Sequence, residues 1–158
     1  MEKNTHLIKD TNIEVEIRKV SPMLMNRLAK DFPPPKPPVE EHEINGEIVR
    51  EENPTNPEYL KEYEEYEDQF NEMVQRILMK RGVVFEMTPE RQKEVDQLRQ
   101  DYLDETGIEI EEKDDRFLWL YEIAIGTPQD LQELMEAIYS RQDVQEEDLR
   151  IAEDSFQG

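Results

Sequence analysis

From Ile13 to Arg18 the chain alternates: Ile13, Val15 and Ile17 fall on one side, Glu14, Glu16 and Arg18 on the other. A period of two with β-branched residues predicts a half-buried strand within 13–20. The pattern then changes. Ser21 offers an N-cap oxygen and Pro22 a pre-set first turn, so a short helix should follow, with Met23, Leu24, Met25 and Leu28 partly buried. It stops before Phe32, because Pro33-Pro34-Pro35-Lys36-Pro37-Pro38 has few backbone donors and enforces an extended path. Such a run serves either as a stiff spacer or as a ligand for an aromatic groove.

Residues 39–52 are acidic with scattered aliphatics. Asn45-Gly46 is a hairpin signal, but its flanks are short and charged, so an acidic loop competes with the hairpin. Asn56 and Pro57 then open a helix from 57 to about 81, the clearest element of the chain. Tyr59, Tyr63, Tyr66, Phe70, Met73 and Ile77 recur every three or four residues, and Leu60, Val74 and Leu78 widen the stripe. That stripe is either core or a partner surface. Its tyrosines suit a partly wet interface. Gly82 supplies the stop.

Val83-Val84-Phe85 predicts a short strand, and Thr88-Pro89 opens a helix to about Thr106 with Val95, Leu98, Tyr102 and Leu103 on one face. Gly107 ends it, and Ile108-Glu109-Ile110 reads as a strand. Residues 114–125 are apolar on nearly all sides and predict the central core helix. Thr127-Pro128 opens a helix over 128–140, and a last one is expected over 144–154, with Phe156 clamping its end.

The fold class expected is α+β, predominantly α-helical: a small N-terminal β and proline-rich region over 1–55, then about five helices in 56–158. Composition sets limits on this fold. Leu, Ile, Val and Phe make up 38 of 158 residues, just above the roughly 20% below which disorder is expected. The core should therefore be modest. Forty acidic residues against nineteen basic ones give a net charge of −21. Such a surface repels phosphate backbones and anionic lipid, so neither nucleic acid nor membrane is an expected partner. Cysteine is absent, which excludes disulfides and thiolate metal sites. Without a signal-peptide pattern at the N-terminus, the expected location is cytoplasmic.

A search for chemistry returns little. His6 and His42 lack a second ligand at helical spacing. There is no phosphate-cradling glycine loop and no Gly-x-Ser-x-Gly elbow. The acidic run Asp104 to Asp115 fails as a calcium loop: with Gly107 at position six, Tyr102 and Lys113 occupy positions that require carboxylates. Carboxylate pairs are too abundant for spacing to single out an acid and a base. No catalytic residue, cofactor or metal ligand is expected, and the chain reads as a non-enzymatic binding protein.

The order of signals resembles the tail assembly chaperones of long-tailed bacteriophages. The likeness is carried by Val20-Ser21-Pro22-Met23-Leu24, the Phe32-to-Pro38 run, and an acidic stretch. It continues with Asn53-Pro54-Thr55-Asn56-Pro57-Glu58-Tyr59 opening a Tyr-rich helix that ends at Gly82-Val83, and with Val144 to Leu149 leading to Phe156. The resemblance implies a mainly helical protein, absent from the finished virion, that binds the tape-measure protein and also tail-tube subunits in the host cytoplasm. Some members are also made as a longer, frameshifted product. A homo-oligomer is compatible with that role. Met23, Phe32, Tyr59, Tyr63 and Tyr66 are the candidate protein-binding residues. The competing readings are a structural or head–tail accessory protein of the virion, and an acidic inhibitor that mimics nucleic acid.

Overall fold

The computed structural model describes residues 4–142. The helix expected over 144–154 and the Phe156 clamp lie outside these residues. The described chain is a mixed α+β fold with two small sheets, 56% helix and 17% strand, so helix outweighs strand about three to one. In chain order come β1 (Thr5–Ile8), β2 (Ile13–Ile17), α1 (Pro22–Asp31), β3 (Val39–Ile44), β4 (Glu47–Glu52) and α2 (Pro57–Gly82). They are followed by β5 (Val83–Val84), α3 (Pro89–Thr106), α4 (Asp115–Leu118) and α5 (Pro128–Arg141). Between the last two, Trp119–Ala124 continues α4 as a π-helix.

The described residues divide into two compact units, and the first is built from two separate stretches of the chain. The first takes residues 4–20 and 76–142, the second residues 21–75. In the first, β1, β2 and β5 form an antiparallel sheet in the order β1-β2-β5. The alternation in β2 has its expected effect: Val15 and Ile17 are buried, while Glu14 and Glu16 face outward. β1 was not anticipated, because its Thr-His-Leu-Ile shows no alternation. It becomes a strand by pairing with β2, from Thr5 opposite Glu16 to Ile8 opposite Ile13.

Helix boundaries in this unit follow the side-chain chemistry. Thr88 Oγ1 accepts the Arg91 N–H at 3.2 Å, and Thr127 Oγ1 accepts the Asp130 N–H at 3.1 Å. Each satisfies an otherwise orphaned donor of a first turn, an interaction worth about 1 kcal/mol. The Asp130 carboxylate, only 3% exposed, accepts from the Gly126 N–H in return. Gly107 ends α3 in the left-handed conformation, φ 71°, which a residue with a Cβ adopts at a cost. Gly82 ends α2 without a positive φ. There the last carbonyls are satisfied from β2's side: Arg18 donates its N–H to Gly82 and its Nε–H to Arg81, both at 2.9 Å.

The segment 115–124 is buried on one side only. Leu118, Trp119, Leu120 and Ala124 are buried, but Tyr121 is 40% exposed and Glu122 faces solvent. The expectation of a helix buried on nearly all sides is corrected in that respect. The π winding carries through to Ile125, whose N–H reaches back five residues to the Leu120 carbonyl, and the Ala124 carbonyl is taken up by the Thr11 hydroxyl at 2.6 Å. Trp119 is flanked by Phe85 at 5.1 Å between ring centroids and by the Arg91 guanidinium 4.3 Å from its ring, while its Nε1–H donates to Glu94. Ile108-Glu109-Ile110, expected as a strand, pairs with no strand. It runs as irregular backbone between α3 and α4.

The second unit holds α1, the β3–β4 hairpin and the first part of α2. Asn45 and Gly46 take positive φ of 53° and 82°, the pair a tight two-residue hairpin turn demands. The turn chemistry therefore prevails over the acidic-loop alternative. Register runs from Val39 opposite Glu52 to Ile44 opposite Glu47. Asn53 closes the base: its N–H donates to the Pro38 carbonyl at 2.9 Å and its side chain to Glu40 at 2.9 Å.

Candidate protein-binding surface

The second unit gathers the residues singled out in the sequence. Asn56 Oδ1 accepts from the N–H groups of Glu58 and Tyr59 at 2.9 and 3.1 Å, which fixes the start and phase of α2. From that start, Tyr59, Tyr63, Tyr66 and Phe70 line up in a row with successive ring centroids 6.0, 6.0 and 5.8 Å apart, the first two pairs tilted and the last stacked. These spacings lie in the range where aromatic pairs attract. Burial grades along the row. The three tyrosines are half-buried, while Phe70 is buried with Val74 one turn later. The stripe is thus core at one end and accessible at the other. Leu60, expected to widen it, is 52% exposed.

Phe32 joins this row through its backbone. The Tyr66 hydroxyl donates to the Phe32 carbonyl at 2.7 Å. That bond pins the end of α1 just before the proline run, while the Phe32 ring stays 46% exposed. Met23 lies nine residues before Phe32, about 13.5 Å away along the helix axis at 1.5 Å per residue. It is 71% exposed, which corrects the expectation of partial burial. Met25, Leu28 and Ala29 form the buried side of α1 instead, with Leu24 half-buried. Ser21, expected to cap α1, sits at the N-cap but makes no side-chain capping bond.

The hairpin adds residues that periodicity did not single out. Val39, Ile44 and Ile48 are each at least half exposed. Side chains alternate across a strand, so Val39 and Ile48 lie on one face and Ile44 on the other. Both faces mix aliphatics with glutamates. Glu40 stands opposite Glu51, a like-charge pair that weakens the ladder. On the opposite face Arg50 meets Glu41 across the strands at 3.1 Å. Five basic and fourteen acidic residues occupy 21–75, so the exposed aliphatics sit in a strongly acidic field.

The first unit uses its charges differently. Asp115 accepts from Gln92 and from the Arg99 guanidinium at 2.7–3.1 Å, and these bonds hold its carboxyl below the usual range. Gln129, and less strongly Lys9, do the same for Glu133. The Gln92 amide that donates to Asp115 also donates to Asp96, at 3.1 Å. Among the described residues, no group of three or more His, Asp or Glu is arranged to hold a metal ion. Among the same residues, no helix is long and apolar enough to cross a membrane. Comparison with known proteins finds no matching family model, no matching characterised protein and no matching solved structure.

Proposed function

We propose that this chain is a non-enzymatic holding protein that covers apolar surface on another protein before assembly. Its partner, on the resemblance described above, is a phage tape-measure protein, with tail-tube subunits as a second client. The observation that carries the reading is the distribution of exposed apolar side chains. Six of the ten large ones among the described residues, Met23, Phe32, Val39, Ile44, Ile48 and Leu60, fall within residues 21–75. That stretch also holds the accessible end of the tyrosine row.

A holding protein has to expose apolar groups without aggregating through them. Exposed apolar patches favour association, and a large net charge of one sign opposes self-association. Here the same segment supplies both properties. Tyrosine adds area that tolerates water at one end and apolar contact at the other, with little rotamer freedom to lose. A tape-measure chain is long and helical, and its apolar faces are exposed until the tube closes around it.

Co-expression with the tape-measure protein encoded in the same genome tests the reading. The expected result is a higher soluble yield of the tape-measure protein and its co-purification with this chain. The doubly substituted chain Met23→Ser/Phe32→Ser should lose both effects. Unchanged yield without co-purification would overturn the proposal. Finding the chain in purified particles by mass spectrometry would replace it with a structural role in the virion.

A further inference from the structure

A second surface lies wholly within the first unit. Eight residues between Leu98 and Glu122 line a half-open cleft of about 440 Å³, within the roughly 300–1,000 Å³ typical of ligand-binding sites. Leu118 is buried at its base, and Leu98 and Ile110 are half-buried in its walls. At the mouth, Tyr102 and Ile108 are 40% and 58% exposed. Glu109, Glu111 and Glu122 complete the lining, and every ionisable group in it apart from the Tyr102 phenol is a carboxylate.

The acidic run from Asp104 to Asp115 divides here into two parts. Glu112 is paired with Arg76 and with Lys80, the latter at 3.2 Å, and its Oε1 also accepts the Asp114 N–H. Asp114 caps α4 through the N–H groups of Arg116 and Phe117, and Asp115 holds Arg99. These carboxylates and cations are committed to the fold. Glu109, Glu111 and Glu122 make no ion pair among the described residues. Backbone 108–111, released from α3 by the left-handed Gly107, joins no strand. An apolar cleft therefore carries a rim of uncommitted negative charge.

We propose that this cleft binds a basic segment of a partner protein, one that places large aliphatic side chains between lysines or arginines. The aliphatic groups fill the space over Leu98, Ile110 and Leu118, and the flanking cations meet Glu109, Glu111 and Glu122. Burial of the apolar anchors supplies most of the affinity, and the charges supply orientation and encounter rate. None of the residues lining it belongs to the second unit, which carries Met23, Phe32 and the tyrosine row.

Fluorescence anisotropy on the full chain tests this, using a labelled synthetic peptide of alternating leucine and lysine. The titration is made at about 0.15 M ionic strength, where charges more than about 8 Å apart in solvent are screened. A peptide of lysine and serine with the same charge is the first control. The expected result is binding of the leucine–lysine peptide at least about tenfold tighter than the control, a difference of about 1.4 kcal/mol. The triple variant Glu109→Gln/Glu111→Gln/Glu122→Gln should weaken it by about tenfold or more. Glu43→Gln/Glu47→Gln/Glu51→Gln on the hairpin changes the net charge equally and should leave it unchanged. Ile108→Asp, at an exposed position, should abolish the preference for leucine. Equal binding of both peptides, equal effects of the two triple variants, or no binding at all would each overturn the proposal.

Discussion

Among the described residues, 4–20 and 76–142 contain fourteen of the nineteen buried apolar side chains, whereas 21–75 contain five of them and six of the ten exposed large ones. The difference does not come from composition alone, since both stretches are acidic and both contain helices and a sheet. It comes from how each element is covered. The sheet of the first unit has three strands, and Ile8, Val15, Ile17 and Val83 within it are all buried. The sheet of the second is a two-stranded ribbon whose aliphatics point outward on both faces. Charged pairs follow the same division. In the first unit Asp115 and Glu112 hold the segment entering α4, while in the hairpin Glu40 faces Glu51 and the Arg50–Glu41 pair lies on the other face. The first unit spends its apolar residues on folding, and the second keeps a share of them on the surface.

Truncation of the first unit's interior should give the largest effect. Trp119→Ala removes a 2%-exposed ring packed against Phe85 and is expected to cost about 3–5 kcal/mol, read from urea denaturation. A loss below about 1 kcal/mol would show that the ring does not hold the unit together. Next come the turns and caps. Gly46→Ala forces a Cβ into a residue with φ 82°, at a cost of about 1 kcal/mol or more. Hydrogen exchange at the β3–β4 amides should quicken while exchange in β1–β2 stays unchanged. Equal acceleration in both sheets would merge the two units into one cooperative block. Thr88→Ala should cost the first unit about 1 kcal/mol through the lost cap to Arg91.

Acid provides a smaller effect that separates the two regions. The Asp115 carboxyl is depressed by Gln92 and Arg99, so its contribution is complete above the ordinary carboxylate pKa and is lost as pH falls through the depressed one. The first unit should therefore weaken on acidification below about pH 4, and Asp115→Asn should flatten that part of the pH–stability curve. An unaltered curve would remove Asp115 from the account. Smallest in stability but decisive in function is Ile48→Ser. At 70% exposure it should change stability by no more than about 0.5 kcal/mol, yet reduce capture of a client protein. A large loss of stability would mean that Ile48 belongs to the fold and not to the surface.

Much of the local architecture was legible before folding. The caps at Asn56, Thr88 and Thr127, the stop at Gly107, the Asn45-Gly46 turn and the break at Pro33 all act over a span of four residues or fewer. Their geometry is set by hydrogen bonds and steric limits internal to that span. The alternation in β2 is likewise local and gave the correct face, whereas the spacing of Tyr59 to Ile77 gave it in part: Leu60 is exposed, and the buried positions after Phe70 are Val74, Leu78 and Met79.

Burial belongs to the tertiary structure. Met23 and Met25 have the same chemistry and lie two residues apart, but one is exposed and the other buried, because the direction from which α1 is covered is fixed by distant residues. The tyrosine row is half-open for the same reason. β1 exists only because β2 pairs with it, and Ile108-Glu109-Ile110 fails to be a strand only because no partner edge lies beside it. The acidic run shows this most sharply. In sequence Glu109, Glu111, Glu112 and Asp115 are interchangeable carboxylates. Arg76, Lys80 and Arg99 claim Glu112 and Asp115, leaving the others at the mouth of an apolar cleft. An ion pair depends on where a cation from another element arrives, and no spacing within one segment encodes that.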